Sequence, residues 1–275
     1  MDNNNIEYKT NIRSIISNEL DIYIPSKNIA IEFNGIYWHS AENKHPKYHI
    51  NKYIECKEKG IQLISIWEDQ YVLNRDICNS IILSKLGIYE TKIYARKCEL
   101  KIVDSRIASD FYSSNHIQGK CGATIHYGLY YNDELVSMMS FGKRKIGKND
   151  ITHWELIRYC SKQNTLVIGG PSKLFNHFIK EYRPDTILSF SSNDISNGNM
   201  YKMLKFEKNG KSISYWYIDK QLKRHHRTGF SHKNLIKKGF INENDKRSES
   251  EIMKALGYTK IFDSGQTKWI WKSHS

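Results

Sequence analysis

The stretch Glu19 to Ser40, ELDIYIPSKNIAIEFNGIYWHS, constrains the fold more than any other part of the chain. Leu20–Ile24 and Ile29–Phe33 are short runs rich in β-branched and aromatic residues, and Pro25-Ser26-Lys27-Asn28 between them is a turn. Centring an antiparallel register on Ser26 and Lys27 sets Tyr23 opposite Ala30 and Asp21 opposite Glu32. Ile22, Ile24, Ile29, Ile31 and Phe33 then supply one complete core face. Downstream, Tyr48 to Lys59 has helical spacing and stops at Gly60, Ile61–Trp67 is a strand, and Arg75–Leu86 is a helix ending at Gly87. The first third is therefore expected to be a compact α/β unit.

The two carboxylates raise a physical problem. Side chains directly opposite in an antiparallel pair lie about 4.5–5.5 Å apart at Cβ, and like charges there are destabilising. A divalent cation between Asp21 and Glu32 would compensate, and oxygen ligands suit Mg²⁺ or Mn²⁺. The other reading is that both are solvated residues on an exposed polar face. Asn34 shares the face of Glu32 by strand periodicity, Gly35 permits a bend, and Trp38-His39 brings an imidazole close behind. A metal, a histidine and a polar donor are the parts of metal-assisted hydrolysis.

Charge is distributed unevenly. Residues 1–94 carry 11 Lys+Arg against 12 Asp+Glu, whereas residues 95–275 carry 31 against 17, so the formal net charge of +13 belongs to the later part. Lys220 to Lys238 is its densest point, with Lys220, Lys223, Arg224, Arg227, Lys233, Lys237 and Lys238 and no acidic residue. Phosphates are the natural partners of such a run and nucleic acid is the commonest polyanion; a solvated surface loop is the alternative. Lys143-Arg144-Lys145 is a second, smaller cluster. With 39% hydrophobic and 12% aromatic residues the chain is too apolar for a disordered one. It also has no apolar run of the roughly 20 residues that a membrane helix needs. Met1-Asp2-Asn3-Asn4-Asn5 is not a signal peptide, and five cysteines without a Cys-x-x-Cys pair read as reduced thiols, so a cytoplasmic location is expected.

Beyond a connector at Thr91 to Leu100, Ala123–Tyr131 and Glu134–Phe141 flank Asn132-Asp133 as a hairpin. Trp154–Cys160 continues the sheet, Pro171–Tyr182 is a helix, Thr186–Phe190 a strand, Asn199–Leu204 a short helix and Ser212–Ile218 an aromatic strand. These elements divide the chain into expected domains at 1–94 and 95–240. A C-terminal extension at 241–275 is expected to dock on the second domain.

The run Asp21-x10-Glu32-Phe33-Asn34-Gly35-x2-Trp38-His39 resembles the PD-(D/E)XK nuclease superfamily and, within it, the Vsr-like endonucleases. The whole chain looks like free-standing phage-type homing endonucleases that append a basic domain to this core. The resemblance implies a restriction-endonuclease-like α/β fold and a Mg²⁺-dependent endonuclease acting on duplex DNA. Asp21 and Glu32 would bind the metal, His39 would orient or deprotonate the attacking water, and Asn34 and His49 would assist the phosphate or metal-bound waters. The sequence departs from the family in three places. Asn34 stands for the usual lysine, His49 stands for an aspartate on the following helix, and only Glu7 or Glu19 could replace an upstream acidic residue. A DNA-binding protein without cleavage is the alternative on the same scaffold.

Residues 123–218 resemble the GNAT acetyltransferase fold. A hairpin, the strand Trp154–Tyr159, a Gly169-Gly170 loop opening a helix, and Asn197-x-x-x-Tyr201-x-x-x-Lys205-Phe206 occur in order. Val167 stands where the family's pyrophosphate loop carries Gln or Arg, and Pro171 removes one N–H donor. The expected role of this half is DNA contact or scaffold, and the alternative is an acyltransferase or DNA-modifying enzyme.

Overall fold

A computed structural model of the 275-residue chain describes residues 6–146, 151–212 and 214–273. Met1 to Asn5 and the side chain of Lys145 lie outside the described residues. The fold is mixed α/β, as expected, and the chain divides into two units. No helix among the described residues is long and apolar enough to cross a membrane.

Unit 1 comprises residues 1–73, 192–195 and 212–266. Its main sheet has the order β1-β2-β3-β4, from β1 (Lys9–Ile12), β2 (Leu20–Ile24), β3 (Ile29–Asn34) and β4 (Gln62–Trp67). The first two pairings are antiparallel and β3–β4 is parallel, joined through α1 (Tyr48–Glu58); α2 (Glu68–Leu73) follows β4 directly. Pro25 opens a single 3₁₀ turn that closes on Asn28 at φ 50°, a left-handed position that asparagine tolerates. That turn sets the expected register, with Ile22 opposite Ile31, Tyr23 opposite Ala30 and Ile24 opposite Ile29. The later part of unit 1 holds β13 (Tyr215–Ile218), β14 (Arg224–His226), α7 (His232–Lys237), α8 (Glu249–Ala255) and β15 (Thr259–Phe262). Strands β14-β13-β15 form an antiparallel sheet over Tyr217, Phe230, Leu235, Ile252 and Met253.

Unit 2 comprises residues 74–191, 196–211 and 267–275. Its elements begin with α3 (Arg75–Leu86), β5 (Thr91–Tyr94), β6 (Glu99–Ile102), α4 (Ser105–Asn115), β7 (Ile125–Tyr131), β8 (Glu134–Ile146) and β9 (Ile151–Ser161). They continue with β10 (Thr165–Ile168), α5 (Gly170–Tyr182), β11 (Thr186–Ser192), α6 (Asn199–Met203), β12 (Glu207–Ser212) and β16 (Gln266–Lys272). A seven-stranded sheet runs β12-β16-β11-β9-β8-β7-β6. The β7–β8 hairpin turns through Asn132 and Asp133, both at positive φ, as the Asn-Asp pair predicts. Helix α5 lays Leu174, Phe175 and Phe178 against the sheet, where Phe178 stacks on Phe141 at 3.6 Å between ring centroids.

The expected connector at 91–100 contains β5, a 3₁₀ turn and the start of β6, and β5 pairs in parallel with β10. This non-local pairing places residues 74–94 in unit 2, so the units cut the chain elsewhere than at 94 and 240. The 241–275 stretch serves both: residues up to 266 group with unit 1, and the last strand enters the large sheet of unit 2.

The β8–β9 register shifts between Ser140 and Phe141, whose partners are Arg158 and Leu156, so Ile157 is a bulged residue. A bulge bends and twists its strand. Strands β9 and β11 are parallel and pair at Trp154–Ile187, Glu155–Leu188 and Leu156–Ser189. Beyond the bulge they part, although β9 continues to Ser161 and β11 to Ser192.

Candidate functional sites

In unit 1 the carboxylates stand as the register requires. The Asp21 N–H donates to Glu32 Oε1 at 3.1 Å, and the Phe33 N–H donates to Asp21 Oδ2 at 2.8 Å. Glu32 and Asn34 share a face and are 4% and 1% exposed, so this face is buried rather than solvated. What compensates the like charges is Lys52 from α1, whose Nζ is bonded to Glu32 Oε2 with both side chains 5% exposed. Burial pushes the Glu32 carboxyl up to about 7; Lys52 pulls the other way and Asp21 adds to the rise. His49, Lys52, Tyr53 and Cys56 are the buried face of α1. A lysine on that apolar stripe was the available signal, and sequence reasoning passed over it.

His39 follows the Gly35 bend and meets His49 ring to ring, with Nδ1 and Nε2 3.2 Å apart. The His49 ring also lies 4.7 Å from Trp67. Burial lowers His39 to about 4 and His49 to about 3, and Lys44 and Lys52 add to both shifts. Both imidazoles are therefore neutral at pH 7, one donating and the other accepting. Their NMR resonances are expected to stay unchanged from pH 8 down to about 5 and to titrate only below. A midpoint near 6.5 for either one would show an open, solvated ring.

These contacts do not fit a metal. One Glu32 oxygen is held by an ammonium and the other by a backbone N–H. No group of three or more His, Cys, Asp or Glu side chains among the described residues could hold an ion. The expectation of Mg²⁺ or Mn²⁺ on Asp21 and Glu32 is corrected accordingly. An ammonium from the next helix does the work assigned to the cation. Asn34 keeps a buried Nδ2 without a partner.

The basic residues fall into two groups. Lys220, Lys223, Arg227, Lys233, Lys237 and Lys238 are exposed, and none of them enters an ion pair among the described residues. Arg224 is different. Its guanidinium makes two 2.7 Å bonds to the Asp69 carboxylate and lies 5.5 Å from the ring centroids of both Trp67 and Trp216. It is a structural ion pair, closed to a phosphate. Two buried carboxylates lie nearby. Asp194 accepts from Trp67 Nε1, and Asp263 accepts from Trp216 Nε1; burial raises both, Asp263 to about 7. In unit 2, Lys143 is exposed over Trp154, whereas Arg144 pairs with Glu155 at 3.1 Å.

Where β9 and β11 part, side-chain hydroxyls satisfy the released carbonyls. Ser189 Oγ donates to the Leu156 carbonyl at 2.7 Å, and Tyr201 Oη from α6 donates to the Phe190 carbonyl at 3.2 Å. Tyr201 stacks on Trp269, and burial raises its phenol, so it stays protonated. The β10–α5 loop turns at Gly169 (φ 77°), and a Cβ on Gly170 would lie 3.1 Å from Tyr159 Oη. A cavity of about 440 Å³ opens between α5, α6 and β16, lined by Ser172, Phe175, Asn176, Met203, Lys205 and Trp271.

No family model matches the chain, and no curated protein matches it. Among solved structures, it is similar to a Bacillus subtilis acetyltransferase in complex with CoA, at 13% identity and TM-score 0.37, covering 64% of this chain and 99% of that one. An N-acetyltransferase from Staphylococcus aureus matches at 13% identity and TM-score 0.32, covering 64% and 97%. A GNAT family acetyltransferase from Elizabethkingia anophelis with acetyl-CoA bound matches at 12% identity and TM-score 0.33, covering 64% and 99%. All three are acetyltransferases. The expectation of a Vsr-like PD-(D/E)XK homing endonuclease and of Mg²⁺-dependent DNA hydrolysis is corrected by the ammonium on Glu32 and by the lack, among the described residues, of any His, Cys, Asp or Glu group that could hold the ion.

Proposed function

We propose that unit 2 is a GNAT-type acyl-transfer module. The observation that carries this reading is the parting of the parallel strands β9 and β11 just past the Ile157 bulge, beside a buried, protonated Tyr201. Apart from the Leu156 and Phe190 carbonyls, which Ser189 and Tyr201 satisfy, separated parallel strands leave main-chain groups that an extended, amide-bearing ligand can meet, and ligands of open α/β sheets favour such breaks. The residues present fit a CoA thioester in part. Lys205, Ser172 and Asn176 offer a cation, a hydroxyl and an amide in the neighbouring cavity, with Phe175 and Trp271 for an aromatic ring. Val167 and Pro171 offer neither the side-chain donor nor the N–H of the usual pyrophosphate loop. When bound, such a thioester supplies an activated acyl group. Tyr201 holds its proton beside the strand break, in the bond to the Phe190 carbonyl. Calorimetry with acetyl-CoA should show saturable binding that weakens at least tenfold in Lys205→Glu. Undetectable binding to the unaltered protein ends this reading.

A separate observation favours double-stranded DNA as the partner of unit 1. Six exposed cations along β14, α7 and their flanks have no ion-pair partner among the described residues. Affinity for a duplex should fall linearly in a log–log plot against salt. Each of Lys233→Gln and Lys237→Gln should reduce the slope by about 1. A salt-independent affinity, or none, excludes the partner.

A further inference from the structure

Arg158, on the part of β9 beyond the bulge, is a cation of unit 2 whose printed bonds all go to neutral oxygens. Its Nη1 donates to the Gly119 carbonyl, its Nη2 donates to Gln118 Oε1 at 3.2 Å, and its Nε is buried without an acceptor. Among the described residues no carboxylate pairs with it. The titratable groups around it are uncharged at neutral pH. Burial lowers His116 to about 3 and raises the Cys121 and Cys160 thiols and the Tyr112 phenol. Tyr112 belongs to α4, His116 and Cys121 to the loop after it, and Cys160 to β9, so the groups whose titration responds to the Arg158 charge are neutral ones.

A guanidinium has five N–H donors in a planar fork that matches two oxygens of a carboxylate or phosphate. Here two donors reach neutral oxygens and the Nε–H reaches none. Leaving the Nε–H of a partly buried guanidinium without an acceptor is costly, which favours an arriving anion. The backbone of Arg158 is held by Tyr112 Oη, which lies 3.3 Å from its carbonyl and 2.6 Å from Ser140 Oγ; Ser140 Oγ is in turn 2.6 Å from His126 Nδ1. The strand end is thus anchored from the core while the fork faces the 116–119 loop. The Gln118 side chain is exposed, so it can swing away and give its place to a charged oxygen.

We infer that Arg158 and the 116–119 loop form a binding site for a small oxyanion, a carboxylate or phosphate group of a ligand, with Gln118 as its resident neutral stand-in. The site does not depend on the acyl-transfer reading, since its donors are separate from the α5–α6 cavity.

The test uses the full chain, ¹⁵N-labelled, titrated separately with sodium acetate and with inorganic phosphate at ionic strength held constant with sodium chloride. The Arg158 Nε–H resonance should shift and saturate with at least one anion, and the two arms tell carboxylate from phosphate. Gln118→Ala should tighten binding severalfold by removing the competing oxygen. Arg158→Gln should weaken it at least tenfold, and Arg158→Lys should fall between. Shifts that grow linearly without saturation for both anions mean an adventitious ion only and overturn the proposal. An unchanged affinity in Gln118→Ala also overturns it, whether or not the Arg158 variants fold.

Discussion

Lys52→Met is expected to destabilise the protein by about 3–5 kcal/mol, the cost of removing one partner from a buried ion pair. Lys52 and Glu32 are each 5% exposed in their side chains, so water cannot replace the lost ammonium. Glu32 already holds its proton up to about pH 7, and without Lys52 it will be protonated at neutral pH, which places the loss near the lower end. Urea unfolding followed by tryptophan fluorescence measures it as a lower midpoint at unchanged slope. The double variant Lys52→Met/Glu32→Leu should recover more than half of the loss, because it leaves no buried charge. A change below about 1 kcal/mol in the single variant, small for a buried ion pair, would mean that the pair is open to solvent.

Arg224→Met has an effect of similar size for a different reason. Asp69 is 2% exposed and loses both of its 2.7 Å bonds, while Asp194 and Asp263 lose the positive charge that lowers them. Stability should fall by about 3–5 kcal/mol. The salt slope for DNA should not change under conditions where the variant remains folded. Lys233→Gln should behave in the opposite way, with stability within about 0.5 kcal/mol of the parent and a slope smaller by about 1. If Arg224 touched phosphate, its replacement would lower the salt slope as well. The comparison therefore separates a cation that holds the fold from one that faces a partner.

Much of the fold can be read from local pattern. The strands at 20–24 and 29–33, the helices beginning at Tyr48, Arg75 and Pro171, and the 131–134 turn follow from periodicity and turn residues within a few positions of one another. The expected opposition of Asp21 and Glu32 follows from turn length alone. The surroundings of the carboxylates do not. Alternation places Asp21 and Glu32 side by side but does not say whether a cation, water or a lysine meets them. Similarly, seven basic residues between Lys220 and Lys238 look equivalent in sequence, and only one of them is withdrawn into an ion pair. Lys52 lies on the buried stripe of α1, and Arg224 sits on a strand whose register partner is the buried Ile218; both placements arise from pairing and packing with other segments.

Local pattern is thus enough for the strands at 20–24 and 29–33 and their register, the helices at 48–59, 75–86 and 171–182, and the uneven placement of charge. These depend on backbone preferences and side-chain alternation that act over a few residues. Which charges are compensated, and by what, comes from packing between distant segments. Glu32 and Lys52 are 20 residues apart, Asp69 and Arg224 are 155 apart, and the parting of β9 from β11 follows a bulge set by pairing with β8. Long side chains choose their partners once distant segments close around them. Burial then sets the cost of leaving any of them alone.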